Sequence, residues 1–255
     1  EELIKKITKK TKAVIVVHML GYPANLYRIK EICEKYNLFL IEDTAWGCGG
    51  NLNDKPLGSW GDIGTFSFDF AKTITTGEGG MFTTNSGALY EKVLTLSNHG
   101  RSRHQKKQFW PDMLGFKYKM SNIQAALGLA QVERIEELIA QKQKIFHFYH
   151  DNLKALKYLK MNPIDSRHQN GYWMPTVILD RGLKTCREEI VQIFDDRNID
   201  ARLFFWPLST LDFIDQEVDT PVSFDLSTRG LNLPSYHDIT EKDQLRVVEV
   251  LKNLS

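Results

Sequence analysis

The chain has 255 residues, 42% hydrophobic and 25% charged, enough to bury a core as one large α/β domain or as a large domain with a smaller one. A formal net charge of +1 argues against a broad basic surface for nucleic acid or anionic lipid, and no apolar run reaches the ~18–20 residues of a membrane span. Cys33, Cys48 and Cys186 are odd in number and far apart, which fits neither a disulfide framework nor a zinc site and points to a reducing, cytoplasmic compartment.

The opening stretch "EELIKKITKK" lacks the apolar centre of a signal peptide and reads as a short helix with its lysines in water. "KAVIVVHMLG" reads as a buried strand and turn, and "PANLYRIKEICEKYN" as a helix, with Leu26, Ile29, Cys33 and Tyr36 on one face. "LFLIEDTAWG" is a second strand whose carboxyl end carries Glu42 and Asp43, the end at which open α/β sheets bind ligands. After the turn-rich "NLNDKPLGSWGD", "IGTFSFDF" and "GMFTTN" read as strands, and "GALYEKVLTLSNHG" as a helix closed by glycine.

From "RSRHQKKQFWPDMLGFKYK" the periodicity is lost, so an ordered loop is expected. Ser121 and Gln124 form a capping box that opens one long helix, predicted to run to about residue 157 and to offer Ala125, Ala126, Leu129 and Ala130 for close packing. Beyond it, "GYWMPTVIL" reads as a strand, "TCREEIVQIFDDRN" as a helix, "IDARLFFWPL" as a strand and "TEKDQLRVVEVLKNL" as a final helix. The expected division is a large domain over residues 1–135, followed by a linking helix and small α/β domain over 136–255.

Taken singly, the polar candidates carry little. Asp43 reads equally as a carboxylate bonded to backbone, Ser67 as a strand hydroxyl pointing away from Phe66 and Phe68, and Lys72 as a solvated lysine beside a loop. "GEGG" lacks the spacing of a phosphate-binding fingerprint. Together, a carboxylate at one strand end, a hydroxyl on the next strand and a lysine just beyond it meet the needs of pyridoxal phosphate. That cofactor takes an amine for its aldehyde, an anion for its ring nitrogen and donors for its phosphate.

The ordered run "IEDTAWGCGG…LGSWGDIGTFSFDFAKTITTGEGGMFTTN", "NHGR" and "LGFKYKMSNIQAALGLAQVERI", continuing through "IDARLFFWPL" and "RGLNLPSYHDIT", resembles the DegT/DnrJ/EryC1/StrS family. The resemblance implies a fold-type I pyridoxal phosphate transferase, with an αβα large domain on a mostly parallel sheet and a small C-terminal α/β domain. It also implies that an upstream segment of the family fold is absent, so the large domain is read as incomplete.

In activity it implies an aminotransferase acting on a nucleotide-linked keto sugar with glutamate as donor, most like the perosamine-synthase type that aminates C4 of a GDP-linked 4-keto-6-deoxy sugar, in making lipopolysaccharide O-antigen. By the same resemblance Lys72 forms the imine with the cofactor and moves the proton, Asp43 pairs with the pyridine nitrogen, and Ser67 binds the phosphate. Trp46 stands where glutamine is common and packs on the ring edge. Lys117 stands where asparagine is common and reaches the phosphate of the neighbouring subunit in a homodimer with shared active sites. Two other functions stay open: a catalytically inactive or truncated homologue acting as a binding partner, and a sugar dehydratase, whose members carry histidine where this chain has Lys72.

Overall fold

A computed structural model of the chain describes residues 1–214 and 219–254. They fall into two compact units, residues 1–139 with 166–171, and residues 140–165 with 172–255.

The first unit opens with α1 (Glu2–Lys6), β1 (Ala13–Val17), α2 (Leu26–Lys35) and β2 (Phe39–Asp43). The β-branched run of β1 pairs in parallel with β2, from Ala13 opposite Phe39 to Val17 opposite Asp43. The helix starts at Leu26 rather than at Pro23, because the Asn25 side chain accepts the Arg28 N–H as its cap. Leu26 and Cys33, two turns apart, bury against Val16 and Leu40 with Leu52 and Leu57. Full burial of a leucine such as Leu26 contributes about 2 kcal/mol.

Next come β3 (Asn51–Leu52), β4 (Lys55–Pro56), β5 (Ile63–Ser67), β6 (Gly80–Thr83) and α3 (Gly87–Ser97). The main sheet has the order β1-β2-β5-β6. Its first three strands are parallel, with Asp43 opposite Thr65, and β6 is antiparallel. The carboxyl ends of β2 and β5 are thus neighbours.

After α3 the chain turns through His99 and Gly100, both left-handed (φ 58° and 73°). The end of the following loop then runs back along α3's last residues. His99 N–H donates to the Phe116 carbonyl, Phe116 N–H to Leu96, and Tyr118 N–H to Ser97. A Cβ on Gly100 would lie 1.7 Å from the Met113 carbonyl oxygen, and one on Gly115 would lie 2.0 Å from the Gly100 nitrogen. Only residues lacking that atom close this root.

The long helix read from Ser121 is two helices, α4 (Asn122–Val132) and α5 (Ile135–Leu153). The capping box forms at Ser121 and Gln124 as the sequence predicts. At the break, Arg134 N–H bonds three residues back to Gln131, a tightened turn that ends one helix, while the Arg134 carbonyl accepts from Leu138 to start the next. The expected close packing of Ala125, Ala126, Leu129 and Ala130 is not found: all four are exposed. The other side of α4 grips the glycine-rich turn instead. Gln131 accepts the Thr75 N–H at 2.9 Å, and Gln124 donates to the Glu78 carbonyl at 2.8 Å.

The helix α5 starts in the first unit and ends in the second. The remaining elements are β7 (Leu159–Met161), β8 (His168–Gln169), β9 (Thr176–Leu179), α6 (Arg187–Asp195), β10 (Arg202–Leu203), α7 (Pro221–Arg229), β11 (Gly230–Asn232) and α8 (Glu241–Lys252). β8 pairs with β3 in the first unit; the others build the second around an antiparallel sheet of order β10-β11-β9-β7. Its core joins Tyr149 and Leu153 of α5 to Val177, Ile190, Phe194, Leu231 and Leu251.

The strand read over "GYWMPTVIL" is confined to its last four residues, since Pro175 has no N–H for a ladder. That read over "IDARLFFWPL" covers only Arg202 and Leu203, with Trp206 left half-exposed.

Lys142 on α5 is 5% exposed and donates from Nζ to the Ser235 carbonyl. Burial lowers its pKa from 10.5 to about 8. Below about 8 both folded and unfolded chains hold the proton, and between about 8 and 10.5 only the unfolded chain does. Burying the charged amine therefore opposes folding at neutral pH, and that cost is relieved as pH rises through this window. Denaturant titrations should show the wild-type protein gaining about 3 kcal/mol relative to Lys142→Met between pH 7 and pH 10.5. A pH-independent difference would place the amine in water.

Candidate active site

The site grows from the neighbouring carboxyl ends of β2 and β5. Along β2, Leu40 and Glu42 are buried on one face, and Phe39, Ile41 and Asp43 lie on the other. Glu42 is therefore a carboxylate continuing an apolar stripe, fully buried beside an equally buried His18.

Its partners account for that burial. Oε2 accepts from His18 Nε2 at 3.1 Å and from Gly58 N–H at 2.9 Å. Oε1 accepts from Trp60 N–H at 2.6 Å and Gly61 N–H at 2.7 Å. His18 Nδ1 accepts the Ala24 N–H, which leaves the ring proton on Nε2. Burial pushes the Glu42 carboxyl up, but the His18, Gly61, Gly58 and Trp60 donors outweigh it and hold its pKa below 4.5.

Asp43, next along the strand, is half-buried. Its Oδ1 accepts the Ala45 N–H at 3.0 Å, and its Oδ2 has no hydrogen-bond partner among the described residues. The Asp43 carbonyl accepts from His18 N–H at 3.1 Å, and the next residue, Thr44, donates its N–H to Thr65 at 2.8 Å.

Ser67 ends β5, and its hydroxyl accepts the Asp69 N–H at 3.3 Å. The segment from Phe68 to Gly79 is closed at its base by Phe68 N–H to Gly79 and Thr76 N–H to Phe68. Lys72 rides on this loop, its N–H bonded to the Asp69 carbonyl, its Nζ 5.3 Å from the Trp46 ring centroid. Desolvation lowers the Lys72 pKa from its ordinary value, against the attraction of Asp69 and then Asp43.

Lys72, Trp46 and Asp43 are thus brought together, with Ser67 on the adjoining strand end. Lys117 is not joined to them. It is exposed, bridges through its backbone to Asn98, and its side chain has no hydrogen-bond or ion-pair partner among the described residues. Asp69, His18 and Glu42 join these residues without a sequence motif to mark them as site residues. The signal for Glu42 was its place in the alternation of β2, two residues after Leu40; His18 lay unmarked at the end of an apolar run.

The donor set fits pyridoxal phosphate. It offers an amine shifted toward its neutral form, a carboxylate oxygen free to face a ring nitrogen, and a strand-end hydroxyl. The Thr44 and Thr73 hydroxyls, flanking Asp43 and Lys72 in sequence, are buried without partners among the described residues.

The family model described as the DegT/DnrJ/EryC1/StrS aminotransferase family matches residues 1–252. The GDP-perosamine synthase of Vibrio cholerae is 34% identical over 256 residues, covering 99% of this chain and 69% of that protein. That of Escherichia coli O157:H7 is 37% identical over 249 residues, covering 97% and 67%. The crystal structure of the aminotransferase TlmJ from Streptoalloteichus hindustanus superposes with a TM-score of 0.91 at 25% identity, covering 98% of this chain and 68% of that one. The chain belongs to the DegT/DnrJ/EryC1/StrS aminotransferase family of pyridoxal phosphate-dependent sugar aminotransferases.

Proposed function

We propose that the chain aminates a nucleotide-linked keto-deoxy sugar of the GDP-4-keto-6-deoxy type, with glutamate as amino donor, for a cell-surface polysaccharide. The observation that carries this reading is the Lys72 amine, desolvated over Trp46 and within the field of Asp43, in a chain similar to two GDP-perosamine synthases.

When bound, pyridoxal phosphate supplies an aldehyde that captures amines and a ring that accepts the electron pair left by deprotonation of carbon. The residues would divide the remaining work. Lys72 Nζ, its pKa lowered by desolvation, would hold the cofactor between turnovers and then take and return the proton that moves during amino transfer. Asp43 would keep a proton on the ring nitrogen through its unpartnered Oδ2, and Trp46 would wall the amine from water. Ser67 would donate to the phosphate.

Amine formation should be measured with GDP-4-keto-6-deoxymannose and with the UDP- and dTDP-linked 4-keto-6-deoxy sugars, each with glutamate. Preference for the GDP sugar is the expected result; preference for another nucleotide would move the reading to a different sugar. Loss of the sugar 3-hydroxyl in place of amination would mean dehydration, the reading that Lys72 argues against.

The protein would act as a homodimer in which Lys117 reaches the partner's phosphate site. The exposed side chain of Lys117, on a loop rooted against α3, supports that reading. Lys117→Ala should then weaken cofactor retention, and mixing it with Lys72→Ala should restore activity above either variant, since each mixed dimer holds one intact site. Exchange of subunits without recovery would confine Lys117 to its own chain.

A further inference from the structure

A carboxylate buried as completely as Glu42 is retained at a cost unless its surroundings supply donors. Here they supply four, and those donors come from two places far apart in sequence: the turn 58–61, through the backbone of Gly58, Trp60 and Gly61, and His18 after β1. His18 is fixed in turn by Ala24 N–H, and its own N–H holds the Asp43 carbonyl. The same peptide group is pinned from its other side by Thr44 N–H to Thr65.

The Asp43 side chain has much less of its own to hold it. One hydrogen bond, from Ala45 two residues on, restrains Oδ1, and none among the described residues restrains Oδ2. Its aim is therefore set by the backbone to which Glu42 and His18 are attached. Alternation along β2 puts the two carboxylates on opposite faces, so a knot tied at Glu42 orients Asp43 without touching it.

We infer that Glu42, locked by His18 and the 58–61 turn, is the positioning residue for Asp43, fixing the end of β2 so that Oδ2 keeps one place. The inference rests on the proposed role of Asp43 toward the cofactor's ring nitrogen. Glu42 does not meet cofactor or substrate. Its contribution is the rigidity of the strand end.

Glu42→Gln is the informative change. A carboxamide has one accepting oxygen and one donating NH₂, so either orientation sets two of the four donors against a donor. With pyridoxal phosphate bound, the pH midpoint of the visible absorbance band should shift in the same direction as in Asp43→Asn. The midpoint of the double variant should match that of Asp43→Asn alone, because the pair acts through one group. Turnover in Glu42→Gln should fall roughly 10- to 100-fold, as misplacement of a reacting group does, with the KM for the sugar within about twofold. Amide exchange at Gly58, Trp60 and Gly61 should quicken in the cofactor-free protein.

His18 gives an independent arm should Glu42→Gln not fold. His18→Leu removes one donor and should shift the midpoint; His18→Gln restores an N–H to Glu42 and should return it toward wild type. An unmoved midpoint with a lowered melting temperature would reduce the knot to a structural device and overturn the inference. Additive shifts in the double variant would overturn it too, since Glu42 would then act independently of Asp43. A midpoint unchanged in Asp43→Asn itself would remove the reading of Asp43 and the inference with it.

Discussion

Replacing Lys72 with alanine is expected to lower amination by ~10⁴-fold or more, because on the proposed reading it removes both the anchoring amine and the group that moves the proton. Lys72→Arg should be no better: the guanidinium keeps the charge but stays protonated, so it can neither attack an aldehyde nor accept a proton. The two variants separate charge from nucleophilicity at a place where desolvation already favours the neutral amine. Borohydride reduction of the wild-type protein followed by peptide mapping gives the direct check. The pyridoxyl group belongs on the peptide containing Lys72, and its recovery on any other lysine would refute the assignment.

Asp43→Asn should cost at least ~10²-fold in turnover while leaving the fold nearly untouched. The amide oxygen can still accept the Ala45 N–H that Asp43 Oδ1 accepts at 3.0 Å, so the local turn survives. What is lost is the anion. On the proposed reading, nothing would then hold a proton on the cofactor's ring nitrogen, and the ring would be a weaker acceptor of the electron pair. Unfolding free energies of the cofactor-free proteins should agree within about 0.5 kcal/mol. Near-normal turnover would show that the charge of Asp43 is not used.

Much of this arrangement could be read from residue order because it is local. Strand alternation puts Glu42 and Asp43 at a carboxyl end, the apolar run before Ser67 makes a strand, and the capping box at Ser121 and Gln124 fixes a helix start within one residue. The parts that escaped depend on partners distant in sequence. His18 and Glu42 are 24 residues apart, and the three backbone donors to Glu42 come from a turn whose glycines suggest only flexibility. The break between α4 and α5 escaped because Glu133 and Arg134 are good helix formers and the tightened turn leaves the apolar period intact. The second unit's β11 escaped because three residues carry no period.

The closed root of the 101–118 loop bears on how such a protein can diversify. Main-chain bonds between residues 96–99 and 116–118, and two glycines that tolerate no Cβ, set its geometry. None of these depends on the side chains between Arg101 and Asp112. The tip can drift in length and composition while its attachment points keep their separation and direction. A tip transplanted from another family member between the same two glycines would be presented on an unchanged base, which makes the loop an exchangeable cassette and its root the part that must be inherited intact.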